Sequence, residues 1–426
     1  MKDRIAIVSG IRTPFCKAGG VMRDLEADDI GAFVVTELLA RSGLPSASID
    51  ELIFGNVIQP PHAANIARIV AVKGGLPVSI PAYTVNRNCA SGLEAITSAA
   101  DKIQLGRAEI IIAGGTESMS NFPVLIKKKY QDFLMRLSKA KSWQQKLSTL
   151  FSFRPGLVIP EFPEISDPLC GLSMGQTAEI LSREFRVSRE EQDAFSLLSQ
   201  ERAMKGILEG RFAEEIAPIP LPPAYQTIQT QDDGPRVNQT LLALSKLKPI
   251  FDRYTGTVTA GNSSQLTDGA AAVLLMKESK AKSLGLNPLG YVRDYAVAGL
   301  QPSRMGLGPA FAISKVLTQT GMQLTDFDLI EINEAFAAQV LAVVNACASN
   351  EFAKKELGRD SCLGTIDLEK LNVNGGAIAL GHPLGASGTR LVLTLLKELK
   401  RRNKNMGLAS LCIGGGQGQA IVVEVN

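Results

Sequence analysis

The sequence predicts an α/β fold with helices packed on both faces of a largely buried sheet. Short runs rich in Val, Ile and Leu alternate with longer helical patterns. Several of those runs are continuously apolar and bounded by glycine, as strands covered on both faces are. A set of short segments also recurs in the same order early and late in the chain. Together these point to layered α/β architecture built from two similar halves.

The expected strands are Ile5 to Val8, Leu52 to Phe54, Ile110 to Ala113, Ala270 to Met276, Leu329 to Ile332, Leu408 to Cys412 and Ala420 to Val423. Between them, Leu93, Ile96, Ala100 and Ile103 mark one helix. Leu391, Leu395, Leu396 and Leu399 mark another, whose terminal Lys400-Arg401-Arg402 suits the negative end of a helix dipole. The repeat runs Asp50-Glu51-Leu52-Ile53-Phe54-Gly55-Asn56, then Val85-Asn86, then Ile111-Ile112-Ala113-Gly114-Gly115. Its echo is Asp328-Leu329-Ile330-Glu331-Ile332-Asn333, then Val373-Asn374, then Leu411-Cys412-Ile413-Gly414-Gly415.

A chain of 426 residues exceeds the usual single domain. With 45% hydrophobic and 20% charged residues its composition is globular. Lys and Arg number 45 against 42 Asp and Glu, and a net charge of +3 argues against a nucleic-acid surface. No apolar run approaches the ~20 residues that span a bilayer. Met1-Lys2-Asp3-Arg4 leads straight into Ile5, without the pattern of a signal or transit peptide, so a cytoplasmic location is expected. The six cysteines are scattered with no CxxC, which predicts free thiols. With only two histidines, His62 and His382, no local metal motif can be assembled, and no metal is expected.

Asn121 to Pro249 differs in character. Lys127 to Arg154 holds eight Lys/Arg and one Asp, a local net of +7 that leaves −4 on the rest of the chain. Phe133, Leu137, Ala140, Leu147 and Phe151 sit near helical spacing, which predicts a basic amphipathic helix. It is either a solvated surface helix or a contact for an anionic partner, a lipid surface or substrate phosphates. Farther on, Ser188-Arg189-Glu190-Glu191 is a capping box for a helix running to about Gly210.

Four places can carry chemistry. Cys89, in Asn88-Cys89-Ala90-Ser91-Gly92, opens an apolar helix whose dipole lowers the pKa of a nearby thiol; alternatively it is simple packing. His382 lies in Gly381-His382-Pro383-Leu384-Gly385-Ala386-Ser387-Gly388, a loop of small residues that lets an imidazole meet a substrate closely. Cys412 ends a strand and opens Ile413-Gly414-Gly415-Gly416, where glycine exposes N–H groups to an oxyanion or makes a tight hairpin. Asn333 follows a strand and is placed either for chemistry or to cap the next helix. All four fall at strand ends, where ligands collect in open α/β sheets.

These motifs, with Asn333-Glu334-Ala335-Phe336-Ala337, Gly114-Gly115-Thr116-Glu117-Ser118-Met119-Ser120 and Thr259-Ala260-Gly261-Asn262-Ser263-Ser264, resemble those of the thiolases, in order from Ile5 to Val425. The resemblance implies a five-layer αβαβα core: residues 1–121 with 249–288 as the N-terminal half, and 289–426 as the C-terminal half. A loop domain over 122–248 would cover the active site and bind coenzyme A. It implies acyl transfer between coenzyme A thioesters without metal or bound cofactor, in a homodimer or homotetramer. Cys89 would be the acylated nucleophile, His382 its base and Cys412 the second acid/base. Asn333 would hold a water in one oxyanion hole; the Cys89 and Gly414 amides would form the other. Ser264, Met174 and Phe336 would line the coenzyme A tunnel.

Within that family, Ser173 stands where many short-chain members have histidine. The basic insert and Lys248 to Arg253 resemble the β-chain branch of fatty-acid-oxidation trifunctional complexes, which implies an α-chain partner or a peripheral membrane contact through 127–154. That branch commonly has histidine where this chain has Asn333. The leading expectation is thiolytic cleavage of 3-ketoacyl-CoA in β-oxidation. The alternatives are condensation of two acetyl-CoA units and, from another class, a non-catalytic acyl-CoA or lipid carrier. A ketosynthase-type condensing enzyme fits less well, because Cys412 has no place in it.

Overall fold

The computed structural model describes residues 3–159 and 166–426. It divides into two compact units, one running up to Asn121 and continuing over Asp167–Asn426, the other Phe122–Ser166. Of the segment 122–248, everything from Asp167 onward belongs to the larger unit.

Every strand expected from the apolar runs is present in the larger unit: Ile5–Arg12, Glu51–Gly55, Ile110–Glu117, Thr267–Lys277, Leu329–Ile332, Met406–Ile413 and Gln417–Glu424. Two of the longer strands in the main sheet, Ala82–Val85 and Gly290–Gly299, escaped the sequence reading, as did several of two or three residues. Ala82–Val85 is a four-residue edge strand, half-buried throughout. Gly290–Gly299 interrupts its apolar run with Arg293 and Asp294, because much of it is only partly covered.

The sheet order is Leu329–Ile332, Met406–Ile413, Gln417–Glu424, Gly290–Gly299, Ile5–Arg12, Thr267–Lys277, Ile110–Glu117, Glu51–Gly55, Ala82–Val85. Pairing is parallel toward both edges and antiparallel in the middle. The two halves join where Ile5 to Ile7 pairs with Gly290 to Val292.

Side-chain alternation then makes the layers. Ile110, Ile112 and Leu274 face the outer helices Ala27–Ser42 and Ile66–Lys73. Ile111, Ala113 and Leu275 face inward, and so do Ala409, Leu411 and Ile421 from the other half. Both inward faces close on the helices Ser91–Gln104 and Leu384–Arg401. Leu408, Ala420 and Val422 pack outward with Gly308–Thr320 and Ala337–Ala348. The result is five layers, αβαβα. Each fully buried Leu or Ile in them contributes roughly 1.5–3 kcal/mol.

The internal repeat has a structural counterpart. The Asp50 carboxylate accepts from the N–H groups of Glu109 (2.7 Å) and Ile110 (2.9 Å), pinning the start of the Ile110–Glu117 strand. Asp328 does the same for Asn405 (2.9 Å) and Met406 (3.0 Å) at the start of Met406–Ile413.

The two central helices cross closely at their N-terminal ends. A Cβ on Gly92 would stand 2.7 Å from both the Gly385 carbonyl and Thr389 Oγ1, so only glycine permits the approach. This crossing brings the Cys89 turn and the His382 loop to one region of the core.

The smaller unit holds two helices, Lys128–Lys139 and Trp143–Phe151, where the sequence suggested one. The break lies at Ser142, whose hydroxyl and Gln145 form a reciprocal capping box that starts a new helix. Phe133 is buried between Tyr130 (ring centroids 6.1 Å apart) and Phe153 (5.5 Å).

Candidate active site

Cys89 lies in the turn between the Ala82–Val85 strand and the Ser91–Gln104 helix. Asn88 takes a left-handed conformation (φ 45°), which Asn tolerates better than most residues. Its Nδ2 donates to the Gly414 carbonyl at 2.8 Å, fastening the turn to the glycine hairpin of the other half. Cys89 is half-buried.

Burial pushes the Cys89 thiol above its ordinary pKa; hydrogen bonds from the Gly414 amide and its own amide oppose that, and the Glu117 charge reinforces it. The expectation of a lowered pKa is therefore corrected. The helix starts only at Ser91, and desolvation outweighs what remains of the dipole.

Cys412 is fully buried at the end of Met406–Ile413. Ile413 pairs with Gln417, so Gly414-Gly415-Gly416 is a tight hairpin turn, with Gly415 and Gly416 at φ 88° and 76°. Gly415 N–H donates to Asp167 Oδ2 at 2.8 Å. Burial first, then proximity to Cys89, raises the Cys412 pKa. The two sulfurs share one neighbourhood.

His382 is buried, and its position is fixed from several sides. Its amide donates to Thr267 Oγ1 (3.0 Å), while Nδ1 lies 2.6 Å from Ser387 Oγ and Nε2 lies 3.2 Å from Asn333 Nδ2. Gly381 ahead of it needs φ 100°. Burial, aided by the Arg390 charge, brings the imidazole down to about 3, so it is neutral at physiological pH. Ser387 Oγ also lies 2.9 Å from the Pro383 carbonyl. With the hydroxyl proton given to that carbonyl, Nδ1 keeps its proton and Nε2 carries the lone pair.

Asn333 continues the Leu329–Ile332 strand by donating its N–H to Ser410 O at 3.0 Å. It does not cap the following helix, which begins at Ala337 behind Phe336. Its Oδ1 is buried without a partner. The adjoining Glu334 accepts from Ser199 Oγ (2.6 Å), Asn372 Nδ2 (2.8 Å) and Ile378 N–H (3.2 Å), which locks the turn.

Cys412, Phe336 and Met174 share one apolar cluster with Phe251, and Phe251 meets Phe336 edge-on at 6.1 Å. Ser264 is joined to this wall through its amide, 3.0 Å from the Ala335 carbonyl. The candidate residues thus form linked groups: Cys89 with Gly414 and Cys412, His382 with Asn333, and Met174 and Phe336 against Cys412, with Ser264 beside them.

Sequence reasoning did not single out three supporting residues. Glu117 accepts from Gly385 N–H (2.8 Å), Ile58 N–H (2.9 Å) and Val57 N–H (3.1 Å), clasping the His382 loop to the first half. Burial raises it to about 7 despite those donors. Ser387 and Glu117 both sit inside glycine-rich motifs visible in the chain. Thr267 carries no local signal, being 115 residues from the amide it receives.

Two family models cover nearly the whole chain: the thiolase N-terminal domain over residues 5–279 and the thiolase C-terminal domain over 286–425. The chain belongs to the thiolase family. It is 45% identical over 425 residues to a 3-ketoacyl-CoA thiolase of Photorhabdus laumondii, covering 100% of this chain and 97% of that one. A 3-ketoacyl-CoA thiolase of Pseudoalteromonas translucida is 44% identical, covering 99% and 97%. Among solved structures, human mitochondrial 3-ketoacyl-CoA thiolase in complex with CoA superposes with a TM-score of 0.84 at 36% identity, covering 100% and 98%. The acetyl-CoA acetyltransferase of Bacillus anthracis also reaches 0.84, at 38% identity and 99% of both chains.

Proposed function

We propose that this protein cleaves 3-ketoacyl-CoA with a second coenzyme A, giving acetyl-CoA and a shortened acyl-CoA through an acyl group held on Cys89. The observation that carries the reading is the tie between the Cys89 turn and the glycine hairpin that follows Cys412, made by Asn88 Nδ2 donating to the Gly414 carbonyl at 2.8 Å.

Cys89 loses its proton to Nε2 of His382 and attacks the 3-keto carbon. The amides of Cys89 and Gly414 receive the developing oxyanion. The C2–C3 bond breaks, the acyl group stays on sulfur, and the departing acetyl-CoA enolate takes a proton from Cys412. Cys412 then draws the proton from incoming coenzyme A, whose sulfur displaces the acyl group, and the Cys89 thiolate released takes its proton back from His382. Asn333 fits a water-holding role, because its unpartnered Oδ1 accepts a donor beside His382.

Residues 1–121 with 249–288, and 289–426, act as the two catalytic halves in this reading, and 122–248 as the cover over coenzyme A. Met174, from that insert, supports the last point by packing against Cys412. A homodimer or homotetramer is supported by the half-buried edge strand Ala82–Val85, whose outer backbone edge offers a pairing surface.

Degradative use is favoured over condensation by the 3-ketoacyl-CoA thiolases among the relatives. Turnover of 3-ketoacyl-CoA substrates of increasing chain length tests it. The expected result is sustained thiolysis beyond the four-carbon substrate. Activity confined to four carbons would assign the chain to acetoacetyl-CoA chemistry instead.

A further inference from the structure

The Leu384–Arg401 helix has no cap of its own at its N-terminal end. Pro383 stands at the N-cap position and supplies no side-chain acceptor. The first N–H groups of a helix need partners, most of all where that end is buried. Gly385, Ala386 and Ser387 are buried here. The partner comes from 268 residues away, because Gly385 N–H donates to Glu117 Oε2 at 2.8 Å.

The other donors to this carboxylate belong to the first half. Oε2 also accepts from Val57 N–H (3.1 Å), and Oε1 accepts from Ile58 N–H (2.9 Å) and Asn56 Nδ2 (3.0 Å). Glu117 itself is fully buried at the end of the Ile110–Glu117 strand. A Cβ on Gly385 would stand 2.7 Å from the Thr116 carbonyl, so the helix end is pressed onto the residue before Glu117. The negative charge therefore lies where the two central helices meet, and it reaches Cys89.

We propose that Glu117 is a positioning residue of the reaction: it caps the helix behind His382, and its charge holds the proton on Cys89 until a base takes it. The inference rests on the reading of Cys89 as nucleophile. Ser387 Oγ, two residues beyond the capped amide, lies 2.6 Å from His382 Nδ1, so a displaced helix end would carry the imidazole with it. On Cys89 the charge opposes the Gly414 and Cys89 amides, which favour the thiolate.

Of the titratable groups around the sulfur, burial pushes Cys412 far up and brings His382 down to about 3, the Arg390 charge adding to the latter. Burial, with Asp268 reinforcing it, raises Glu117 to about 7, and burial raises Asp268 too. Around neutrality the ionisation that Cys89 feels is that of Glu117.

Iodoacetamide labelling of Cys89 in the full chain, followed by peptide mass spectrometry from about pH 5 to 9, tests this. It needs no turnover, so its outcome is separate from that of the thiolysis assay. For a lone thiol below its pKa, the logarithm of the rate climbs by about one per pH unit, following the thiolate fraction. In the native protein the expected climb is shallower around pH 7, where Glu117 ionises and tightens the hold on the proton. Glu117→Gln should abolish that flattening and speed labelling by about threefold or more above neutrality. Glu117→Asp keeps the charge but shortens the reach, and should lower kcat by about tenfold or more with KM for coenzyme A little changed. Far-UV circular dichroism checks that both variants fold. An even climb through pH 7 in the native protein would overturn the proposal, whether or not Glu117→Gln folds. A native labelling profile in folded Glu117→Gln would overturn it as well, and so would full kcat in Glu117→Asp.

Discussion

In the proposed reaction Cys89 is a nucleophile that rests as a thiol. Burial and the Glu117 charge outweigh the amides of Gly414 and Cys89 itself, so its pKa stands above the ordinary cysteine value. The His382 imidazole is neutral as well, brought down to about 3. This differs from a resting thiolate–imidazolium pair, which would be reactive at low pH. Iodoacetamide labelling of Cys89, followed by peptide mass spectrometry, separates the two. The rate should keep rising through pH 9 as thiolate accumulates; a plateau at or below neutrality would contradict the assignment. The candidates at this scale could be picked from the sequence, since Cys89, His382, Cys412 and Asn333 all stand in glycine-rich or strand-end motifs. Their protonation was not legible. It depends on burial by distant segments, and a helix dipole judged from sequence cannot be weighed against desolvation it does not reveal.

At the scale of elements, the site depends on how closely the Ser91–Gln104 and Leu384–Arg401 helices approach. Gly92 and Gly385 let their N-termini meet, and Thr389 Oγ1 donates to the Gly92 carbonyl at 3.1 Å. Gly92→Ala should force these helices apart, at a cost of about 1–3 kcal/mol typical of overpacking. Urea unfolding measures this, and unchanged stability would show that the contact yields freely. Strands were readable wherever both faces are covered, because such strands carry continuous apolar runs. Gly290–Gly299 and Ala82–Val85 were not, because partial exposure admits polar residues and shortens the pattern. The single basic helix was misjudged because apolar spacing continued across a break that only the Ser142 capping box marks.

At the largest scale, the larger unit is tied by buried polar contacts between parts far apart in the chain. Arg12, fully buried in the first strand, pairs with Glu215 at 2.7 Å and with Asp232 at 2.6 Å and 2.8 Å. Thr394 in the central helix donates to the same Glu215 at 3.0 Å. Arg12→Met should leave two buried carboxylates without their cation and cost about 3–5 kcal/mol by urea unfolding; a change below about 1 kcal/mol would mean water reaches the pair. The two-fold internal repeat was legible because Asp50 and Asp328 do the same job at matching strands. The union of both halves through Ile5 to Ile7 and Gly290 to Val292 was hidden, since one partner strand had no apolar signature.

The most direct measurement is the mass of the Cys89 peptide after brief mixing with an acyl-CoA in the absence of acceptor. The account predicts the added acyl mass on that peptide, its discharge when coenzyme A is supplied, and no adduct or turnover in Cys89→Ala. An acyl group found on another residue, or turnover surviving in that variant, would contradict it.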